Sequence, residues 1–214
     1  MEMHTQQLNE LHMVAAEIPG YTYGSDESAQ SPITVEEFEL LKQAARFTTD
    51  DVHWLRAAGE AFMGHTQELV KTWRDLISAQ PHLRKYGLDL DGNKDERYAE
   101  RSGLRFQQWI LDTCFRDYDQ DWLNYQQEIA LRHTTLEKNK TDEARSAPTI
   151  HLRYIIAFMA VVADPNLLKP FFRRKYHDEE KIERMHQAWT KSLWLQIALW
   201  TAPYTSANEA PNQW

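Results

Sequence analysis

His133 is the side chain best placed to do chemistry, because it falls on the apolar face of a predicted helix. It follows Trp122, Tyr125 and Ile129 at successive intervals of three, four and four residues, the spacing of one helical face. A neutral imidazole at this position can bind a transition metal or the iron of a haem. It can equally be a core histidine that is bonded to a neighbouring carbonyl. The residues alone leave both interpretations open.

The residues around His133 argue against a metal site with several protein ligands. Glu137 is the nearest carboxylate, and a lysine-rich loop follows it. Zinc and di-iron sites need more ligands than this helix offers. A haem needs a single axial ligand, and it would also account for the many aromatic residues. His151, at a helix start, and His186, in the last helix, are predicted to be structural.

The composition argues against several classes of protein. The 214-residue chain has a net charge of −8, which disfavours nucleic-acid binding, since that affinity depends on neutralising phosphates. Cys114 is the sole cysteine, which excludes an intrachain disulfide framework and a C-x-x-C zinc site. The longest apolar run, Tyr154 to Ala163, is too short for a membrane span, which needs about 20 residues. We expect a soluble cytoplasmic protein with no signal peptide and no membrane contact.

The elements that must position His133 are predicted to be helices. Apolar residues recur every three or four positions, and no segment alternates strictly every two residues. The expected organisation is all-α, with an N-terminal extension (1–17), one helical domain (18–206) and a flexible tail (207–214). Residues 18–32 are rich in Pro, Gly and Ser, so they should form an extended lead-in. Tyr21 and Tyr23 should pack this lead-in against the domain.

Two of the predicted helices are unusually apolar. The helix from about residue 149 to 163 is apolar nearly all round, which predicts a central, buried helix. The last helix, from about residue 179 to 201, has one apolar stripe and carries Trp194, Leu195 and Leu199 on other sides. A helix that is apolar on two sides usually buries both. Together with the family resemblance given below, this predicts a symmetric homodimer formed through the last two long helices.

Short motifs follow one another in order from about Ile18 to Tyr204. They are Ile18–Gly24 (IPGYTYG), Arg105–Phe106, Trp109–Thr113 (WILDT), Tyr118–Asp119, Trp122–Leu123, Tyr125–Gln126, Glu128–Ile129, Leu131–His133 (LRH), Leu152–Tyr154 (LRY), Ala157–Phe158, Gln187–Trp189 (QAW), Leu195–Gln196, Ala198–Trp200 (ALW) and Pro203–Tyr204. In these motifs the chain resembles the protoglobins, which are single-domain haem globins related to the globin domains of globin-coupled sensors. The resemblance implies a globin-like fold with an extra N-terminal segment and helix. It also implies a haem b cofactor and reversible binding of diatomic gases (O2, CO and NO).

The resemblance implies that His133 is the protein ligand of the haem iron. The family often has a second histidine directly afterwards, where this chain has Thr134. In the family the N-terminal segment helps to cover the haem, a role that suits Tyr21 and Tyr23. The complete haem site predicted in this way consists of His133, Trp73, Arg74, Ser102, Arg105, Phe106, Tyr125, Ile129 and Phe158.

Other members of that site match residues that line or anchor the cofactor in the family. Trp73 and Phe106 match distal aromatics that wall the ligand space. Phe158 matches an aromatic beside a tunnel through which ligands reach the iron. Arg105 and Tyr125 are the expected partners of the haem propionates.

The chain departs from the family pattern on the distal side. Arg74 stands directly after Trp73, where the family usually has a tyrosine. A guanidinium is a permanent cation with five hydrogen-bond donors, whereas tyrosine supplies one. Ser102 takes the position of the distal histidine of ordinary globins. Arg74 either reaches inward to the ligand or turns outward and pairs with Asp75 or Glu68.

Three functions are compatible with these residues. The first is a haem globin that reversibly binds diatomic gases opposite His133. The second is a haem enzyme that acts on peroxide, nitrite or another nitrogen oxide, with Arg74 polarising the anion. The third is a helical interaction protein that has kept the fold without the haem, and a Soret band in the purified protein would exclude it.

Overall fold

The computed structural model describes residues 18–205, and this part of the chain is built from helices. In chain order they are α1 (Val35–Ala44), α2 (Thr49–Phe62), α3 (Thr66–Ser78), α4 (Pro81–Arg84), α5 (Glu96–Phe115), α6 (Gln120–Leu131), α7 (Leu152–Val162), α8 (Pro165–Arg173), α9 (Glu179–Trp200) and α10 (Ala202–Thr205). Isolated β-bridges occur over this range but no strand, so the all-α prediction is confirmed. The predicted extension 1–17 and tail 207–214 lie outside the described residues.

Polar side chains cap the N-termini of α1 and of two helices, α5 and α6, that carry residues of the predicted site. Thr34 and Glu37 form a reciprocal capping box at α1, in which each side chain accepts the other residue's backbone N–H. Asp95 begins α5 and Asp119 begins α6, and each accepts a backbone N–H of the first helical turn. The start of each of these helices is therefore determined by residues three positions apart.

The central helix of the molecule is α9. It packs against α2, α6 and α8, and Trp189 in its middle is completely buried. The Trp189 Nε1–H donates to the Val162 carbonyl at 3.1 Å, which ties the end of α7 to α9. Leu195 and Leu199 are buried within the chain, so both predicted apolar sides of this helix pack internally. Trp194 alone of the three residues named for the second side stays exposed.

The prediction that the helix now defined as α7 is central and buried is wrong. Ile155, Met159 and Val162 face the core, whereas the side chain of Ile156 is 40% exposed and Ala157 is exposed as well. The central position belongs to α9, and α7 buries one face only. No single helix among the described residues is long and apolar enough to cross a bilayer, and α7 and α8 reach that length and composition only as a bent pair.

The lead-in of residues 18–32 contains no helix and lies against the domain, as predicted. The Tyr21 hydroxyl donates to Asp112 Oδ2 at 2.6 Å. The Arg116 guanidinium lies 4.3 Å from the ring centroid of Tyr23. Both tyrosine rings pack edge-on against Tyr125, at centroid distances of 5.0 and 5.7 Å. Hydrogen bonding and ring contacts therefore hold the lead-in beside α5 and α6.

Candidate functional site

His133 lies two residues beyond the end of α6, in a turn, and its ring is held in one orientation. Nδ1 is 2.7 Å from the carbonyl oxygen of Ile129, and because a carbonyl can only accept, Nδ1 carries the proton. The His133 carbonyl accepts from the Ile150 N–H at 2.8 Å and from the Tyr204 hydroxyl at 3.1 Å. Nε2 has no hydrogen-bond partner in residues 18–205. The histidine therefore presents one unprotonated nitrogen from an anchored backbone.

The electrostatic surroundings keep the His133 imidazole neutral. Burial lowers the pKa of His133 to about 4. The hydrogen bond to Ile129 raises the pKa, but this effect is weaker. Positive charge on Lys138 and Arg132 lowers the pKa further. At neutral pH the side chain is therefore an uncharged imidazole, which is the form that binds metals.

Trp73 and Phe106 form an aromatic wall where α3 packs against α5. Their rings stack with centroids 5.4 Å apart, and Trp73 is completely buried. The Trp73 Nε1–H has no hydrogen-bond acceptor among the described residues. An unsatisfied buried donor of this kind is uncommon in proteins and calls for an explanation.

A continuous series of aromatic contacts joins this wall to His133. Phe106 packs on Trp109 at 5.5 Å, Trp109 on Trp200 at 6.1 Å, and Trp200 on the His133 ring at 5.8 Å, all between ring centroids. Trp109 Nε1–H is bonded to Gln196 Oε1 at 2.6 Å, which anchors the middle of the series. The wall and the histidine are thus linked through packed aromatic side chains, although they are 27 or more residues apart in sequence.

Arg74 and Ser102 are brought together. Arg74 Nη2 donates to Ser102 Oγ at 2.8 Å, and Nη1 donates to the Ala99 carbonyl at 2.6 Å. Arg74 forms no ion pair with either of the acids named for the outward alternative. Asp75 pairs with Lys71, and Glu68 pairs with Arg174. The guanidinium instead lies across α5.

Arg105 and Tyr125 both lie beside the lead-in. Arg105 forms an ion pair with the buried Asp142 and donates to the Pro19 carbonyl at 2.6 Å. Tyr125 is buried under Tyr21 and Tyr23. Arg105 is therefore already paired with Asp142. Any further anion would have to share the guanidinium with this carboxylate.

Ile129 and Phe158, the remaining residues of the predicted site, are partly buried and pack against the core. Ile129 also supplies the carbonyl that orients His133. His186, predicted to be structural, accordingly bonds the Ala163 carbonyl through Nε2 at 2.7 Å. His151 occupies the N-cap position of α7 but makes no side-chain cap. No group of three or more His, Cys, Asp or Glu side chains that could hold a metal occurs in residues 18–205.

Sequence reasoning missed Lys138, which is only 4% exposed. Its Nζ donates to Ser146 Oγ at 2.5 Å and to the Tyr86 carbonyl at 3.3 Å. The Tyr86 hydroxyl is itself buried without a partner in the described chain. A lysine within a polar, lysine-rich loop is normally solvated, so no signal in the sequence singles out this one.

The arrangement of helices is that of a globin. The globin domain of a globin-coupled sensor from Geobacter sulfurreducens matches this chain with a TM-score of 0.60 at 17% sequence identity. The match covers 80% of this chain and 98% of that domain. At this level of identity the likeness shows the fold alone.

A family model described as Protoglobin matches residues 34–210, and the chain therefore belongs to the protoglobin family. The predicted resemblance is confirmed over this range. No curated protein matches the sequence.

Proposed function

We propose that this protein binds haem b through His133 Nε2 and holds diatomic gases (O2, CO and NO) on the opposite side of the iron. The observation that carries the proposal is the single hydrogen bond of the His133 ring, from Nδ1 to Ile129. That bond leaves Nε2 as the coordinating atom of a neutral imidazole. Bound haem would supply an iron with one position open to a gas ligand.

The side chains around His133 suit a flat apolar macrocycle. Trp73 and Phe106 offer aromatic surface on the side assigned to the gas, and the unsatisfied Trp73 Nε1–H is a donor that a bound group could satisfy. Ile129 and Phe158 add apolar surface that is only partly buried by the protein itself. Burial of this surface against the macrocycle would contribute about 25 cal/mol per Å².

The haem propionates are expected to meet a region of positive charge and buried hydroxyls. Arg105 would share its charge between Asp142 and one propionate, and the Tyr125 hydroxyl has no hydrogen-bond partner among residues 18–205. Lys138 is a second buried cation, and its ammonium lies 5.3 Å from the ring centroid of Tyr98, on the same helix as Arg105. We therefore add Lys138 to the propionate partners proposed from the family.

The cysteine content supports haem b over a covalently attached haem. Thioether attachment requires a C-x-x-C-H motif, and Cys114 is the sole cysteine. Cys114 is buried, and burial raises its pKa, so it is held as an inert thiol. Low cysteine use also supports the cytoplasmic location that we propose.

The proposal includes a symmetric homodimer formed through α7 and α9. Its support is the apolar surface that the chain leaves uncovered on these two helices, with Ile156 and Trp194 among the exposed large hydrophobic residues. Association of two copies would bury this surface.

The test of haem ligation is a haem titration of His133→Ala beside a matched control, His186→Ala. Both histidines are partly buried and bonded to a backbone carbonyl, but only His133 has the proposed role. We expect wild type and His186→Ala to develop a Soret band that shifts with CO. We expect the haem affinity of His133→Ala to fall by more than about 100-fold, since even outer contacts of a ligand are worth 10- to 100-fold.

Two outcomes would contradict the proposal in different ways. A wild-type protein that develops no Soret band would point to the haem-free helical interaction protein. A His133→Ala variant with the wild-type five-coordinate spectrum would show that another side chain binds the iron.

A further inference from the structure

Arg74 carries a positive charge that no acidic residue of the described chain neutralises. The ion pairs of residues 18–205 include Arg105, on the neighbouring helix, but not Arg74. Desolvation lowers the pKa of Arg74; Tyr98 partly opposes this effect, and the nearby charge of Arg105 reinforces it. The cation is half-buried, so it loses hydration without gaining a counter-ion.

The guanidinium is held in place by only part of its hydrogen-bonding capacity. A guanidinium has five N–H donors, and those of Arg74 bond Ala99 and Ser102 once each. Ser102 is itself oriented, because its hydroxyl donates to the Tyr98 carbonyl at 2.5 Å. The remaining donors have no acceptor in the described chain. Arg74 is thus an anchored cation with spare donors.

Arg74 approaches α5 closely at Gly103. A Cβ at this glycine would lie 3.1 Å from Arg74 Nη1, a tighter contact than side chains usually make. Arg74 follows the distal residue Trp73 directly, and Phe106 lies one helical turn beyond Ser102. The uncompensated charge therefore borders the aromatic wall to which the proposed function assigns the gas ligand.

We propose that Arg74, oriented by Ser102, is an anion-recognition site on the distal side, which takes small inorganic anions such as nitrite and azide. The inference rests on the proposed function, since the anion would sit on the open side of the iron. A spare guanidinium N–H would give such an anion a charge-assisted hydrogen bond, which is roughly twice as strong as a neutral one. Neutral CO would gain nothing comparable.

The test is an equilibrium titration of the haem-loaded protein, followed by absorbance. Azide and nitrite are added to the ferric form and CO to the ferrous form of wild type, Arg74→Leu, Arg74→Gln and Ser102→Ala. Lys71→Leu is the matched control, because Lys71 is a cation on the same helix that is exposed and paired with Asp75. Arg74→Gln keeps a polar side chain without the charge, so it serves if the leucine variant fails to fold.

We expect Arg74→Leu and Arg74→Gln to weaken azide and nitrite binding roughly 10- to 100-fold, with CO affinity changed less than about threefold. Ser102→Ala should give a smaller loss of the same selectivity, and Lys71→Leu should match wild type. Equal small changes for anions and CO in both Arg74 variants would overturn the inference and make Arg74 a brace between α3 and α5. If the Arg74 variants behave in this way while wild type develops a Soret band and binds CO, only this inference fails and the proposed function stands.

Discussion

At the scale of single residues, Lys138 shows what burial does to a charge. Its ammonium is held by Ser146 and Tyr86 and lies 5.3 Å from the ring centroid of Tyr98, with no acidic partner in the described chain. Burial lowers the pKa of Lys138 from 10.5 to about 8, because no carboxylate replaces the lost hydration. The charged form therefore reduces the stability of the haem-free fold at neutral pH.

This lysine should make stability rise with pH. Between pH 8 and 10.5 the folded protein loses the Lys138 proton while the unfolded chain keeps it. The unfolded state then binds more protons, so the free energy of unfolding increases with pH by at most about 1.4 kcal/mol per pH unit. We expect haem-free wild type to gain stability relative to Lys138→Met from pH 7.5 to 10, measured by urea denaturation.

The control for this prediction is Lys140→Met, in the same loop. The Lys140 side chain is exposed and pairs with Glu137. We therefore expect the difference in free energy of unfolding between wild type and Lys140→Met to stay constant over the same pH range. If the difference between wild type and Lys138→Met were also constant with pH, the lysine would not be desolvated.

At the scale of elements, the packing of α2 against α5 depends on one glycine. Gly59 is buried in α2, and a Cβ there would lie 2.6 Å from Cys114 Cβ and 2.7 Å from Phe115 Cζ. These distances are shorter than side-chain contacts allow, so glycine sets the separation of the two helices. The same α5 carries Ser102 and Phe106, so its distance from α2 affects the site.

Gly59→Ala should destabilise the protein although the same change usually stabilises a helix interior by about 0.5–1 kcal/mol. Overpacking against Cys114 and Phe115 costs about 1–3 kcal/mol, so we expect a lower midpoint in chemical denaturation. Gly87→Ala is the control, because no atom lies within 4 Å of its added Cβ, and it should change stability by less than about 0.5 kcal/mol. A stabilised Gly59→Ala variant would mean that α2 and α5 separate freely.

At the scale of the whole molecule, the exposed apolar side chains of α7 and α9 are the basis of the proposed dimer. Trp194 is 56% exposed although both of its apolar neighbours on the helix, Leu193 and Leu195, are buried. Exposed indole surface of this size suits an interface, since tryptophan is enriched at the centres of interfaces.

Trp194→Ser should weaken the proposed dimer without unfolding the chain. We expect light scattering at micromolar concentration to give about 50 kDa for wild type, twice the 25.3 kDa chain, and a concentration-dependent fall towards the monomer for the variant. Leu40→Ser is the control, because Leu40 on α1 is 64% exposed and lies outside the proposed interface. A wild type that scatters as a 25.3 kDa particle would exclude the dimer.

The sequence by itself determined the helices, the family and the histidine that we assign to the iron. Helix periodicity relates residues three or four positions apart, so the apolar face formed by Trp122, Tyr125 and Ile129 before His133 could be recognised along the chain. The motifs that carry the family resemblance are equally local. The end of α6, the helix before His133, was less clear, because the turn after Leu131 has no glycine or proline to mark it.

The tertiary structure decided how charge and apolar surface are distributed around that histidine. The hydrogen-bond partners of Arg74 became visible only once α5 placed Ala99 and Ser102 beside it, 25 and 28 residues away. The buried ammonium of Lys138 meets the Tyr86 carbonyl, 52 residues earlier in the chain. The outer face of α7 is exposed, although its sequence is apolar nearly all round. Each outcome depends on which distant segments meet, and a linear pattern of residue types does not contain that information.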